Sequence, residues 1–357
     1  MHSRELHAQH KANITTADGL AAIWQRVLHR APSSLEDNFF ELGGDPWLAI
    51  KLFVEIEKAF AKKIPPLAIY GAPTVASLAA LLEAPTPVRF PTSILLRAGT
   101  TGDPIFIAHG VGGNVLEFFE LVRKIQSPRP IFGLQAKGTD GLEEPSSAIE
   151  EMAKSYVKAV KGIQDHGPYI LIGYSFGGLV ALEMARYLSA SGEKIALLMM
   201  IDSYPSLSRV SLKQRMRVYY RKARHHASIA RGSPLSEAIS YAFHGSKRVE
   251  YASQAQRKNA DDRASLGISF TPEMERVREC ASIALRQYVP RYYGGRIKFV
   301  RASVCLHFPD DPAKIWVAND FELEAVPGDH YQILTRHSEE LAAVINRHLR
   351  ELPVPSR

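Results

Sequence analysis

The stretch Gly173-Tyr174-Ser175-Phe176-Gly177-Gly178 constrains this chain more than any other. Before it runs Tyr169-Ile170-Leu171-Ile172, a short apolar run that reads as a fully buried strand. After it, Leu179 to Leu188 has helical spacing and helix-forming composition. Strand, Gly-x-Ser-x-Gly turn and helix, in that order, are the context of a nucleophile elbow. Glycines on both sides of the serine permit a sharp turn that side chains would block, which leaves the Ser175 hydroxyl exposed above a sheet.

Around this stretch, strand-like and helix-like patterns alternate. Ser93 to Leu96 and Pro104 to Ala108 read as strands, and the second ends in His109-Gly110-Val111-Gly112-Gly113-Asn114. A helix is expected from about Leu116 to Ile125, then a strand at Pro130 to Leu134, then a helix from Ile149 to Ile163. Beyond the serine, Ile195 to Ile201 is a strand ending in Asp202. A polar, basic, helical region from about Leu207 to Arg286 interrupts the alternation. Strands resume at Ile297 to Val300 and Phe321 to Val326, and Gly328-Asp329-His330 precedes a last helix from about Ser338. Such alternation predicts an α/β class with a mostly parallel sheet and helices on both faces.

In the α/β-hydrolase arrangement, the chemical groups follow in the order serine, acid, histidine, each at the end of a strand. Ser175, Asp202 and His330 meet that order. The expected roles are Ser175 as nucleophile, His330 as general base and acid, and Asp202 as the group that orients the imidazole. His330 is selected by position among 13 histidines, with His307 and His337 as rivals, while Asp202 could merely cap a turn. An oxyanion needs backbone donors, and the N–H groups of Phe176 and of Val111 in the glycine turn are the candidates. That turn is too short and ill-spaced for a Walker loop, which ends in Gly-Lys-Ser/Thr.

The region ahead of this domain has a different character. Residues 1 to about 15 read as a polar, disordered lead-in, and Thr16-Ala17-Asp18 can cap a helix carrying Leu20, Ile23, Trp24, Val27 and Leu28. Phe39-Phe40-Glu41-Leu42-Gly43-Gly44-Asp45 leads into a second apolar-striped helix from Pro46 to Phe60, and a last helix starts at Thr74. The expected organisation is a small all-α bundle over 16–83, a proline-rich linker over 84–92 and the α/β domain over 93–357. The bundle resembles the peptidyl carrier domains of nonribosomal peptide synthetases. Where that family carries the serine that holds phosphopantetheine, this chain has Pro46, so the resemblance implies a carrier-like domain that cannot be loaded.

The α/β part resembles the thioesterase domains that end nonribosomal peptide and polyketide synthetases. The likeness rests on Gly167-Pro168-Tyr169, the serine turn, Leu134-Gln135-Ala136 to Asp140-Gly141, Tyr288-Val289-Pro290 and Pro327-Gly328-Asp329-His330-Tyr331. It implies a serine thioesterase with the Ser175, Asp202 and His330 triad, and a helical lid over about 207–286. The partner it implies is an acyl or peptidyl thioester, delivered by a carrier or synthetase in trans or as a CoA thioester. A general esterase or amidase on the same residues, and a silent interaction module, are the alternatives. Release by hydrolysis and release by cyclisation use the same residues.

Composition narrows the remaining classes. The chain carries 46% hydrophobic and 23% charged residues, as ordinary globular proteins do. With only Cys280 and Cys305, neither a disulfide framework nor a zinc cluster is expected, and no cofactor or metal is needed. The start lacks an apolar signal region and no stretch is long enough to span a bilayer, which predicts a cytoplasmic location. The net charge of +7 is concentrated: between Arg209 and Arg231 lie Lys213, Arg215, Arg217, Arg221, Lys222 and Arg224, without one Asp or Glu. No nucleic-acid-binding motif accompanies them. The run reads as a solvated helix face or as a docking surface for an acidic partner.

Overall fold

The computed structural model describes residues 15–62, 64–66, 68–85, 89–232, 272–305, 308–309 and 311–353. Most of the expected lead-in, the middle of the expected lid and His307 lie outside the described residues. The chain divides into two compact units, Met1–Phe90 and Pro91–Arg357.

The first unit holds helices α1 (Thr16–Leu28), α2 (Pro46–Phe60), α3 (Ala68–Gly71) and α4 (Val75–Glu83). The cap of α1 falls one residue earlier than expected. Thr15 accepts from the Asp18 N–H and Asp18 bonds back to the Thr15 N–H, a capping box whose loss costs about 1 kcal/mol. Leu20, Ile23, Trp24 and Val27 then share one face at helical spacing and are buried. Trp24 meets Phe39 edge to face, with ring centroids 5.3 Å apart, so the aromatic loop before α2 belongs to this core. Asp45 caps α2 by accepting from the Leu48 N–H at 2.8 Å.

The second unit is built on a seven-stranded sheet in the order β1-β3-β2-β4-β5-β6-β7. Its strands are β1 (Ser93–Arg97), β2 (Ile105–Ala108), β3 (Ile131–Leu134), β4 (Tyr169–Tyr174), β5 (Ile195–Ile201), β6 (Tyr293–Ala302) and β7 (Ala318–Val326). Only β1 runs antiparallel to its neighbour. Strands β2 and β4 are buried along their whole length, as continuous apolar runs covered on both faces must be. Their cover includes α6 (Ile149–Lys161) and α7 (Phe176–Ala190), which contribute Met152, Tyr156, Leu179, Val180 and Met184 to one core with Phe106 and Leu171.

Some elements depart from the expected outline, and β7 starts at Ala318, three residues before the expected Phe321. The helix expected from Leu116 opens as a 3-10 turn, Leu116–Phe118, and becomes α5 only at Phe119–Lys124. Asn114 holds that turn by accepting from the Leu116 N–H, while the Glu117 carboxylate reaches back to Gly110. Strand β6 begins four residues before the expected Ile297, running through Gly294 and Gly295. The described ends of the basic region are α8 (Leu212–Gly232) and α9 (Pro272–Gln287). The exit from α9 is pinned to α7: buried Glu183 accepts from the Tyr288 hydroxyl and from Arg291, both at 2.9 Å. Helix α10 (Ser338–Glu351) closes the unit.

Candidate active site

The sheet register brings the carboxyl ends of four strands level. Ala108 pairs with Gly173, Tyr174 with Ile201, and Ile201 with Val300, so His109, Ser175 and Asp202 follow the ends of β2, β4 and β5 side by side. Every residue from Tyr169 through Ala185 is buried except Ser175. That exception needs strain: Ser175 sits at φ 53°, ψ −117°, outside the regions an L-residue ordinarily occupies. Its N–H donates to the Ile201 carbonyl at 2.8 Å, which ties the turn to β5. Gly177 lets the first turn of α7 close on β2, because a Cβ there would lie 2.2 Å from the His109 carbonyl oxygen and 2.3 Å from that of Ala108.

Asp202, also at positive φ, is buried at the end of β5. One carboxylate oxygen accepts the Ala302 N–H at 3.0 Å, and the other lies 2.6 Å from His330 Nδ1. A carboxylate only accepts, so Nδ1 carries the proton and Nε2 presents a lone pair. Ser175 Oγ lies 2.9 Å from that Nε2 and donates to it. The loop holding His330 is shaped by Asp329, whose carboxylate accepts the N–H groups of Tyr331 and Gln332. Rings hold the imidazole itself: Tyr174 stacks on it at 5.1 Å, Phe308 tilts against it at 5.2 Å, and the Tyr174 hydroxyl donates to the His330 carbonyl. The rival His337 instead pairs with Glu340 at the start of α10.

The two expected oxyanion donors occupy adjoining turns. Phe176 is the first residue of α7, where a helical N–H has no intrahelical partner. Val111 is exposed in the turn closed by Gly113 N–H donating to the Gly110 carbonyl. Sequence reasoning missed the side chains behind this turn. His109 is fully buried between Tyr156 and Phe176, and Glu117 accepts the Gly110 N–H. Burial pushes His109 down to about 4 and Glu117 up to about 7. Nothing in local sequence marks Tyr156, 47 residues from His109, as its partner.

A largely parallel sheet with a serine turn between β4 and α7, and an acid and a histidine on later strand ends, is the α/β-hydrolase fold. Residues 103–349 match the thioesterase domain family, and the chain belongs to it. Residues 18–82 match the phosphopantetheine attachment site family. The chain is 37% identical over 189 residues to a dimodular nonribosomal peptide synthase of Bacillus subtilis (strain 168), covering 52% of this chain and 8% of that one. It is 39% identical over 176 residues to an indigoidine synthase of Dickeya dadantii (strain 3937), covering 49% and 12%. The match thus spans a small part of the length of these curated relatives. Among solved structures, a holo four-domain nonribosomal peptide synthetase bound to AMP and glycine superimposes with a TM-score of 0.56 at 22% identity, over 95% of this chain and 26% of that one. The Vlm2 thioesterase domain bound with a dodecadepsipeptide gives 0.51 at 20% identity, over 74% of this chain and all of that one. These two likenesses concern the fold. No helix among the described residues is long and apolar enough to cross a membrane.

Proposed function

We propose that the chain is a serine thioesterase that releases an acyl or peptidyl group from a phosphopantetheine-type thioester. The observation that carries this reading is the hydrogen-bonded line from Ser175 through His330 to Asp202 across the strand ends. Ser175 Oγ attacks the thioester carbonyl carbon as its proton passes to His330 Nε2. Asp202 holds the imidazole and stabilises its charged form. The tetrahedral oxyanion is held by the N–H groups of Phe176 and Val111, donors typically worth about 10²–10³ in rate each. Collapse breaks the C–S bond, and His330 returns the proton to the departing thiolate. Water, or a nucleophile within the acyl chain, then attacks the acyl-enzyme carbonyl as its proton passes to His330. Collapse breaks the ester bond to Ser175 while His330 returns the proton to Ser175 Oγ. The test is thiol release from a panel of acyl-pantetheine thioesters. Wild type is expected to turn over and Ser175→Ala to lose activity by at least about 10³-fold. Equal release from both would mean another nucleophile, and better turnover of oxygen esters would mean a general esterase.

The first unit does not suit a covalently attached arm. After Gly44-Asp45 comes Pro46, the first residue of α2, and proline offers no hydroxyl for a phosphodiester. The preceding hydroxyls are engaged elsewhere, Ser33 on Asp37 and Ser34 on the Glu36 N–H. The acyl group therefore arrives on a carrier in trans or as a CoA thioester. Mass spectrometry after treatment with a phosphopantetheinyl transferase should show no added arm on the wild-type chain and an added arm on Pro46→Ser. An arm on wild type would refute the block.

A further inference from the structure

An oxyanion donor that is a backbone N–H takes its direction from its peptide plane. In a planar, trans peptide the C=O of Gly110 and the N–H of Val111 point opposite ways. Whatever grips the Gly110 carbonyl therefore aims the Val111 N–H. Two donors grip it, the Gly113 N–H at 3.2 Å and the imidazole Nδ1 of His109. A carbonyl only accepts, so Nδ1 carries the His109 proton. Nε2 is then an acceptor, and the Tyr156 hydroxyl on α6 donates to it. The ring cannot turn away, because Phe176 stacks near it at 6.1 Å and Tyr156 meets it edge-on at 5.8 Å. Burial keeps the imidazole neutral near pH 7, which preserves this tautomer.

The next plane back, between His109 and Gly110, is gripped from the other side. Its N–H donates to Glu117 Oε1. Glu117 is close-fitted there: a Cβ on Gly110 would lie 3.0 Å from both of its carboxylate oxygens and 3.2 Å from the Tyr174 ring. Both peptide planes flanking Gly110 are thus set by side chains rooted in the core, one through α6 and one through the 3-10 turn before α5.

We propose that His109, Tyr156 and Glu117 are positioning residues for acyl transfer, locking the two peptide planes at Gly110 and so aiming the Val111 N–H at the developing oxyanion. The inference rests on the reading of Val111 as an oxyanion donor. A donor fixed before the reaction acts in the transition state, so loosening it lowers kcat and leaves KM nearly unchanged.

The experiment measures kcat and KM on an acyl-pantetheine thioester for the full chain and for Tyr156→Phe, Glu117→Leu, Glu117→Gln and Val111→Pro, with thermal melts to confirm folding. Tyr156→Phe is expected to lower kcat about threefold or more, and Glu117→Leu about tenfold or more, at constant KM. Glu117→Gln keeps an oxygen acceptor for the Gly110 N–H and should recover much of the loss seen with leucine. Imidazole ¹⁵N NMR provides a readout independent of turnover: His109 should be the neutral Nδ1–H tautomer, and Tyr156→Phe should shift its Nε2 resonance. Wild-type kcat in both Tyr156→Phe and Glu117→Leu, with Ser175→Ala inactive, would overturn the inference and leave the thioesterase reading standing. An Nε2–H tautomer would overturn it as well. Wild-type kcat in Val111→Pro would instead remove the oxyanion assignment on which it rests. Should Glu117→Leu fail to fold, Tyr156→Phe decides, since it removes a single hydroxyl.

Discussion

His109 and Glu117 share Gly110 and carry proton equilibria displaced in opposite directions. Unfolded, His109 takes a proton below its ordinary 6.5, but folded it resists until about 4. It therefore costs stability as pH falls from 6.5 towards 4. Glu117 runs the other way. Folded it keeps its proton up to about 7, while unfolded it loses it at the ordinary 4.5, so stability is lost as pH rises from 4.5 to 7. The titratable groups facing the pair are the Tyr156 and Tyr174 phenols, which burial pushes upward and out of this range. Between 4.5 and 6.5 the two contributions offset, each on the order of 3 kcal/mol over its full window. Glu117→Gln should therefore make urea-unfolding stability rise more steeply with pH than in wild type. His109→Gln should make it fall relative to wild type. Parallel pH curves for all three proteins would refute the opposed shifts. None of this was legible in the sequence, where His109 and Glu117 read only as part of a turn and of a helix start. By contrast, Ser175, Asp202 and His330 stood out because each closes or follows a strand, and strand ends can be read from short apolar runs.

At the scale of elements, the serine turn depends on how closely α7 can approach β2. Alanine at Gly177 would place its Cβ against two backbone carbonyl oxygens, which cannot swing aside as a side chain can. Gly177→Ala is expected to lose more than about 3 kcal/mol in urea unfolding, or to fail to fold. Gly112→Ala is the control, because its Cβ would meet only the Asn114 amide at 3.4 Å, an ordinary contact. It should stay within about 1 kcal/mol of wild type. A Gly177→Ala protein as stable as the control would mean that the turn opens without cost. The glycines were visible in the sequence as a pattern, but the carbonyls they face come from a strand 69 positions earlier than Gly177 in the case of Ala108. Likewise the helix expected at Leu116 opens as a 3-10 turn because of the side chains of Asn114 and Glu117, whose partners local periodicity does not reveal.

Across the whole molecule the charge is uneven. Helix α8 starts shortly after Asp202 and presents Leu212, Met216 and Tyr220 among Lys213 and Arg217, all exposed. The carrier-like unit of this same chain shows the complementary sign, with Glu36, Asp37, Glu41 and Asp45 and no Lys or Arg between Ser34 and Asp45. An acidic carrier delivering its thioester in trans would be attracted to α8. On this view kcat/KM for a carrier-bound substrate falls with added salt more steeply than kcat/KM for a small acyl-pantetheine, since screening at about 0.15 M already reaches about 8 Å. Equal salt sensitivity would remove the docking role of α8. What the sequence determined by itself was the α/β class, the division into a helical and an α/β part, and the order of serine, acid and histidine. Those follow from local periodicity and turn chemistry, which need only neighbouring residues. The meeting of Ser175, Asp202 and His330 in one hydrogen-bonded line, and the frame of His109, Tyr156 and Glu117 behind Gly110, were decided by tertiary structure. The first requires the register of a parallel sheet, which aligns strand ends far apart along the chain, and the second requires α6 and the 3-10 turn to pack behind the end of β2, neither of which any local stretch encodes.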